Sequence, residues 1–150
     1  MELTGLMAYA EQAIDYGVMG TLILMSIVTV WLFIERMMFY KTVRMEDYSH
    51  RDELELELTN NINVISAIGA NAPYVGLLGT VFGIMLTFYT LGDVGAVDAK
   101  KIMTGLALAL KATAMGLIVA IPAIIAYTIT LRKVEKILTK YDIFTDKQKS

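Results

Sequence analysis

Apolar residues run along this chain in three long stretches. Residues 16–34 carry no charge and end at the pair Glu35-Arg36; residues 58–92 contain no Asp, Glu, Lys, Arg or His; residues 112–131 are free of them again. About 20 predominantly apolar residues cross the hydrocarbon of a bilayer as helix. The pattern therefore predicts transmembrane helices over 16–39, 61–91 and 102–131. A charged linker over 40–60, an outer loop over 92–101 and a cytoplasmic tail over 132–150 join and follow them. Segment 1–15 predicts an amphipathic helix on the outer surface, with Leu3, Leu6, Met7, Ala10 and Ile14 on one side. Residues 52–58 alternate like a strand, yet Leu54, Leu58, Ile62 and Ile65 also fit one helical face. With an apolar helix directly behind, the reading is a helix that extends the second span into the cytoplasm. The fold class is all-α: an integral membrane protein of three transmembrane helices with long cytoplasmic helix extensions.

The second and third spans are rich in Gly, Ala and Thr where a simple anchor would be mostly Leu and Ile. Gly69, Gly76 and Gly83 recur every seven residues with Gly79 between them, and Ser66, Pro73, Thr80 and Thr87 form a second row. Seven residues make nearly two helical turns, so each row keeps to one side. In the third span Gly105, Ala109, Ala112, Gly116, Ala120 and Ala123 form a small-residue face with Thr113 beside it. Small residues let helix backbones approach closely in a membrane, and hydroxyls held in hydrocarbon must find partners or water. Pro73 and Pro122 each remove a helix hydrogen bond and are expected to kink their spans. The chain reads as built for assembly.

Composition and charge refine this picture. With 56% hydrophobic residues the chain exceeds the 45–50% usual for soluble domains. Lys and Arg cluster in the linker (Arg36, Lys41, Arg44, Arg51) and the tail (Arg132, Lys133, Lys136, Lys140, Lys147, Lys149), against Lys100 and Lys101 in the outer loop. Basic residues mark the cytoplasmic side, so the N-terminus is expected in the periplasm and the C-terminus in the cytoplasm. Glu35 and Arg36 mark the membrane boundary. The acidic start (Glu2, Glu11, Asp15) does not fit a cleavable signal peptide.

Little of the chemistry points to an enzyme. The run from Gly76 to Gly83 lacks the lysine and the strand of a phosphate loop. With no cysteine and a lone His50 in a charged stretch, neither a thiolate nucleophile nor a zinc site is expected. No cofactor, metal or nucleic-acid partner is expected. Lys111 is the charge at membrane depth; it is read as snorkelling toward lipid headgroups or touching another subunit rather than lining a pore. Proton relays through membranes use buried carboxylates or histidines, and the second and third spans hold neither. If this chain conducts protons, Thr80 and Thr113 can only orient a donor, and the titrating acid must come from another polypeptide.

Two segments carry a likeness. The run from Asn71 to Met85 (NAPYVGLLGTVFGIM) and the run from Leu108 to Ala123 (LALKATAMGLIVAIPA) resemble the second- and third-helix motifs of the MotA/TolQ/ExbB family, and Glu35-Arg36 matches the usual end of its first helix. The likeness covers roughly residues 17–135. It implies a pentameric inner-membrane ring around the helices of an ExbD-like single-span partner whose membrane aspartate takes up protons. Thr80 and Thr113 would then be the pore-facing hydroxyls near that aspartate. Proton flow would drive the partner and, through a TonB-like transducer, uptake across the outer membrane. The sibling reading is a TolQ-like subunit of the Tol–Pal envelope system, and a third is a non-conducting membrane scaffold. Many relatives carry glutamate near the start of the third motif, where this chain has Leu108, and its cytoplasmic loop is shorter than in the longer forms.

Overall fold

A computed structural model describes residues 2–92 and 98–150. The helices are α1 (Glu2–Thr42), α2 (Arg51–Leu58), α3 (Ile62–Gly92) and α4 (Ala99–Lys149), with a single 3₁₀ turn at Met45–Asp47. Helices α1, α3 and α4 are each long and apolar enough to cross a membrane. Residues 93–97, half of the expected outer loop, lie outside the described residues. Helix α4 starts where the Asp98 side chain accepts a hydrogen bond from the Lys100 amide at 3.0 Å, satisfying one of the free donors of a helix start.

Helices α3 and α4 make the main contact, and seven-residue steps along one are answered by steps along the other in antiparallel register. A Cβ built on Gly83 would lie 2.9 Å from the Ala109 Cβ, one on Gly76 would lie 3.0 Å from the Gly116 Cα, and one on Gly69 would lie 2.9 Å from the Ile124 Cγ1. Gly116 is equally confined, 2.7 Å from the Ala72 carbonyl oxygen, and Gly105 sits 2.5 Å from the Thr87 hydroxyl by the same measure. Between lipid-like surfaces such backbone-to-backbone proximity supplies dispersion contact that larger side chains would prevent. Gly79 serves two neighbours: its added Cβ would lie 2.9 Å from both the Ala112 Cβ and Val18 of α1. Buried Ala109, Ala112 and Ala120 complete this seam. Pro73 and Pro122 lie within unbroken helices.

Helix α1 crosses both partners. Leu22 is buried with Ile68, Ala72, Val119, Ala120 and Ala123, and Leu32 with Ile65 and Ala126. Its opposite side leaves Ile23, Leu24, Ile27, Val30, Trp31 and Ile34 exposed, a surface suited to hydrocarbon. Segment 1–15 differs from its expectation. Helix α1 continues from Glu2 without a break, so this segment is continuous with the helix of the first span and not a separate helix, and Leu3 and Leu6 remain exposed.

The second departure concerns residues 52–58. They are helical but do not run straight on into α3. Thr59 closes α2 by donating its amide and its hydroxyl to the Glu55 carbonyl, at 3.0 and 2.7 Å. Asn61 then takes a left-handed φ of 63°, which asparagine tolerates better than most residues. The physical reason for the break is a second small core. Leu54 and Leu58 are fully buried with Ile62 and with Val134, Leu138 and Tyr141 of α4, a burial that a straight extension of α3 would forgo. The Tyr141 hydroxyl donates to the Tyr48 carbonyl at 3.0 Å, and Arg51 bridges Asp142 at 3.1 Å. Burial, joined by nearby carboxylates, holds the Tyr48 phenol above its ordinary range.

Candidate functional site

The register that brings Gly76 onto Gly116 also decides where the threonines go. Gly79 faces both Val18 of α1 and Ala112 of α4. One residue further along each helix, about 100° round, Thr80 and Thr113 meet on the side of the α3–α4 seam turned away from α1. Thr80 is buried, Thr113 half-buried, and their hydroxyls are hydrogen-bonded to each other. The Thr80 Oγ1 also lies 2.9 Å from the Ala109 carbonyl oxygen and 3.3 Å from that of Gly76.

One hydroxyl carries one proton and two lone pairs, which orders this cluster. When Thr80 donates to the Ala109 carbonyl, it accepts from Thr113. The Thr113 oxygen then keeps acceptor capacity on the half-open side. The orientation is unusual for this chain: Thr21, Thr29, Thr87 and Thr104 all donate to the carbonyl four residues back, whereas Thr113 turns to the neighbouring helix. The row of Thr80 and Thr87 thus divides, because Thr87 satisfies itself on Gly83 at 2.8 Å and packs on Gly105. Neither hydroxyl titrates near neutrality. The pair can orient and accept a hydrogen bond from a donor, but it cannot store a proton. Among the described residues no group of three His, Cys, Asp or Glu side chains converges, so the chemistry available here is that of hydroxyls and helix carbonyls.

The boundary pair does more than end a span. Arg36 is only 5% exposed. Its Nε and Nη2 donate to the Glu35 carboxylate at 2.6 and 2.5 Å, its Nη1 donates to the Glu57 carbonyl at 2.9 Å, and its guanidinium lies 4.6 Å from the Phe39 ring centre. Glu57 sits in the last turn of α2, where free carbonyls favour a cation. Arg36 therefore ties α1 to the end of α2, a contact between residues far apart in sequence that no local pattern announces. Replacing Arg36 with methionine keeps length but leaves the Glu57 carbonyl without its charged donor. The expected loss is about 1.5–3 kcal/mol, read as a lower unfolding temperature of the purified protein. Lysine should recover little of it, because one ammonium cannot reproduce the planar fork.

Lys111 is exposed on α4, and Leu108 beside it is 51% exposed. Both line a shallow groove with Lys100 and Thr104. Lys111 is about 160° round the helix from Thr113 and belongs to a different surface. The structure thus gathers Thr80 and Thr113 with the small residues of the seam, and leaves Lys111 and the Glu35–Arg36 clamp as separate features.

Comparison with known proteins bears on the family of this chain. The sequence pattern of the MotA/TolQ/ExbB proton channel family matches residues 31–143. The chain is 52% identical to the biopolymer transport protein ExbB of Aquifex aeolicus, over 89% of this chain and 90% of that protein. It is 49% identical to ExbB of Helicobacter pylori, over 91% and 94%. The Tol-Pal system protein TolQ of Pseudomonas aeruginosa is 41% identical over 64% of this chain and 41% of its own length. Three membrane-crossing helices, a small-residue seam and this similarity along most of the sequence lead to one assignment: the chain is a multi-pass membrane protein that belongs to the MotA/TolQ/ExbB proton channel family.

Proposed function

We propose that this chain is the ring-forming subunit of a proton-driven machine in the bacterial inner membrane. In this reading five copies surround the helices of an ExbD-like single-span partner, with the N-termini in the periplasm and the basic tails in the cytoplasm. The machine couples the proton-motive force, through a TonB-like transducer, to uptake across the outer membrane. The observation that carries the reading is the Thr80–Thr113 pair, set at membrane depth in two helices without a carboxylate or histidine across residues 58–92 and 112–131. A hydroxyl with spare acceptor capacity in such a place suits a guest carboxylic acid: it accepts a hydrogen bond from the protonated form and leaves gain and loss of the proton to the guest. Similarity to ExbB over most of both chains favours the uptake role. The TolQ likeness, over a shorter stretch, supports a second reading in which the same ring serves the Tol–Pal system.

Purification from native membranes tests the proposal. A single-span protein with an aspartate in its span should co-purify, and vesicles under a pH gradient should pass protons only when both proteins are present. Full flux through this chain alone, or purification without any such companion, counts against it. Deletion then separates the siblings: loss of receptor-dependent uptake marks the ExbB role, whereas a failure of envelope constriction during division marks the TolQ role.

A further inference from the structure

Lys111 is a charge at membrane depth that no described residue of its own chain meets in an ion pair. It lies exposed on α4 between exposed Leu108 and Ile118. An ammonium costs about 2.5–3.5 kcal/mol at the bilayer centre and less as its stem carries it toward the headgroups, and a carboxylate at the same level would offset part of that. Contacts fix that level. Val18, Gly79 and Ala112 share one layer, because a Cβ on Gly79 would touch the other two. Asp15 stands three residues from Val18 toward the N-terminal end of α1, about 4.5 Å at 1.5 Å per residue, and Glu11 one turn beyond. Lys111 adjoins Ala112, and helical side chains lean toward their own N-terminus; for α4 this is the same end of the bundle. The four-carbon stem thus delivers its ammonium to the level of Asp15.

Both carboxylates are exposed and also enter no ion pair among the described residues. They line a cavity of about 350 Å³ that extends to Leu108, but Lys111 is about 60° round the helix from Leu108 and projects from the side of the molecule. We propose that Lys111 is an intersubunit contact, its ammonium pairing with Asp15 of a second copy of this chain and with Glu11 next in line. The two surfaces differ, one on α4 and one on α1, so the contact is head-to-tail and repeats until a ring closes. The pair rests on the homo-oligomer of the preceding reading.

The chain has no cysteine, so introduced thiols report cleanly. Chains with Lys111→Cys and Asp15→Cys, differently tagged and co-expressed, should give a dimer carrying both tags when membranes meet a short bifunctional thiol reagent. Lys111→Cys with Ile34→Cys, at the far end of α1, should not. Lys111→Glu or Asp15→Lys alone should lower the yield of intact oligomer about tenfold, equivalent to about 1.4 kcal/mol, and the two together should restore it. A cross-link that closes only within one Asp15→Cys, Lys111→Cys chain overturns the proposal, as does capture of Cys-bearing position 111 by a smaller single-span protein. Native mass spectrometry of the unmodified protein separates the failures. A monomer removes the ring and this pair with it, whereas an intact ring without the mixed dimer removes the ion pair alone.

Discussion

Gly76→Leu drives α3 and α4 apart and leaves little folded protein: this is the largest loss expected of any single substitution in the chain. The first added carbon alone would lie 2.6 Å from the Ala112 carbonyl oxygen and 3.0 Å from the Gly116 Cα. Both are backbone atoms, so no rotamer change relieves the clash. Gly76→Ala already requires the helices to separate, at the scale of about 1–3 kcal/mol typical of overpacking. Leucine adds three more carbons to the same gap and exceeds it. Gly116→Leu should behave alike, since its Cβ would meet the Ala72 carbonyl at 2.7 Å. Gly17→Ala and Gly20→Ala serve as controls, having nothing within 4 Å. Thermal unfolding and native mass spectrometry of the purified protein read the outcome. An undisturbed oligomer with Gly76→Leu would falsify the close approach from which the positions of the threonines follow.

How much of this seam can be read from the sequence depends on how local its cause is. The seven-residue spacing of Gly69, Gly76 and Gly83 is legible because seven residues almost complete two turns, and the same arithmetic marks the small face of α4. Which glycine meets which is not legible, because register depends on both helices and on the closure at Gly76 and Gly116. Without register Thr80 and Thr87 look equivalent; with it, one reaches Thr113 and the other folds back on Gly83. The turn before α3 shows a different limit. An alternating acid–leucine run permits strand or helix, and the break falls at Asn61, a left-handed helix end that asparagine signals less strongly than glycine. The gain that selects the break, burial of Leu54 and Leu58 against α4, comes from residues far along the chain. Arg36 is similar: its charge beside Glu35 is visible as a membrane boundary, but its bond to the Glu57 carbonyl depends on where α2 ends.

Thr113→Val should sharply lower energised transport while the assembly survives, and Thr80→Val should reduce it by less. The order follows from the hydroxyl accounting. Valine keeps the shape of threonine and removes its proton and lone pairs. At position 113 the acceptor that the proposed ring would offer a guest acid disappears. At position 80 the Thr113 oxygen remains, but its hydroxyl loses its cross-helix partner and turns to the Ala109 carbonyl, as threonines elsewhere in the chain do to the carbonyl four residues back. The oxygen is then present but re-aimed. Neither change orphans the Ala109 carbonyl, which keeps its bond within α4, so the stability loss should stay near the 0.5–1.5 kcal/mol of one ordinary hydrogen bond, roughly. Transport should fall more than about tenfold for Thr113→Val, the equivalent of about 1.4 kcal/mol in the barrier. Thr→Ser at either position retains the hydroxyl and should retain most activity. The measurement is gradient-driven uptake in cells alongside the amount of intact complex recovered from the same membranes. If both valine variants transport at the unmodified rate with normal amounts of complex, the hydroxyl pair only fastens α3 to α4, and the proton finds its way past this chain by other groups.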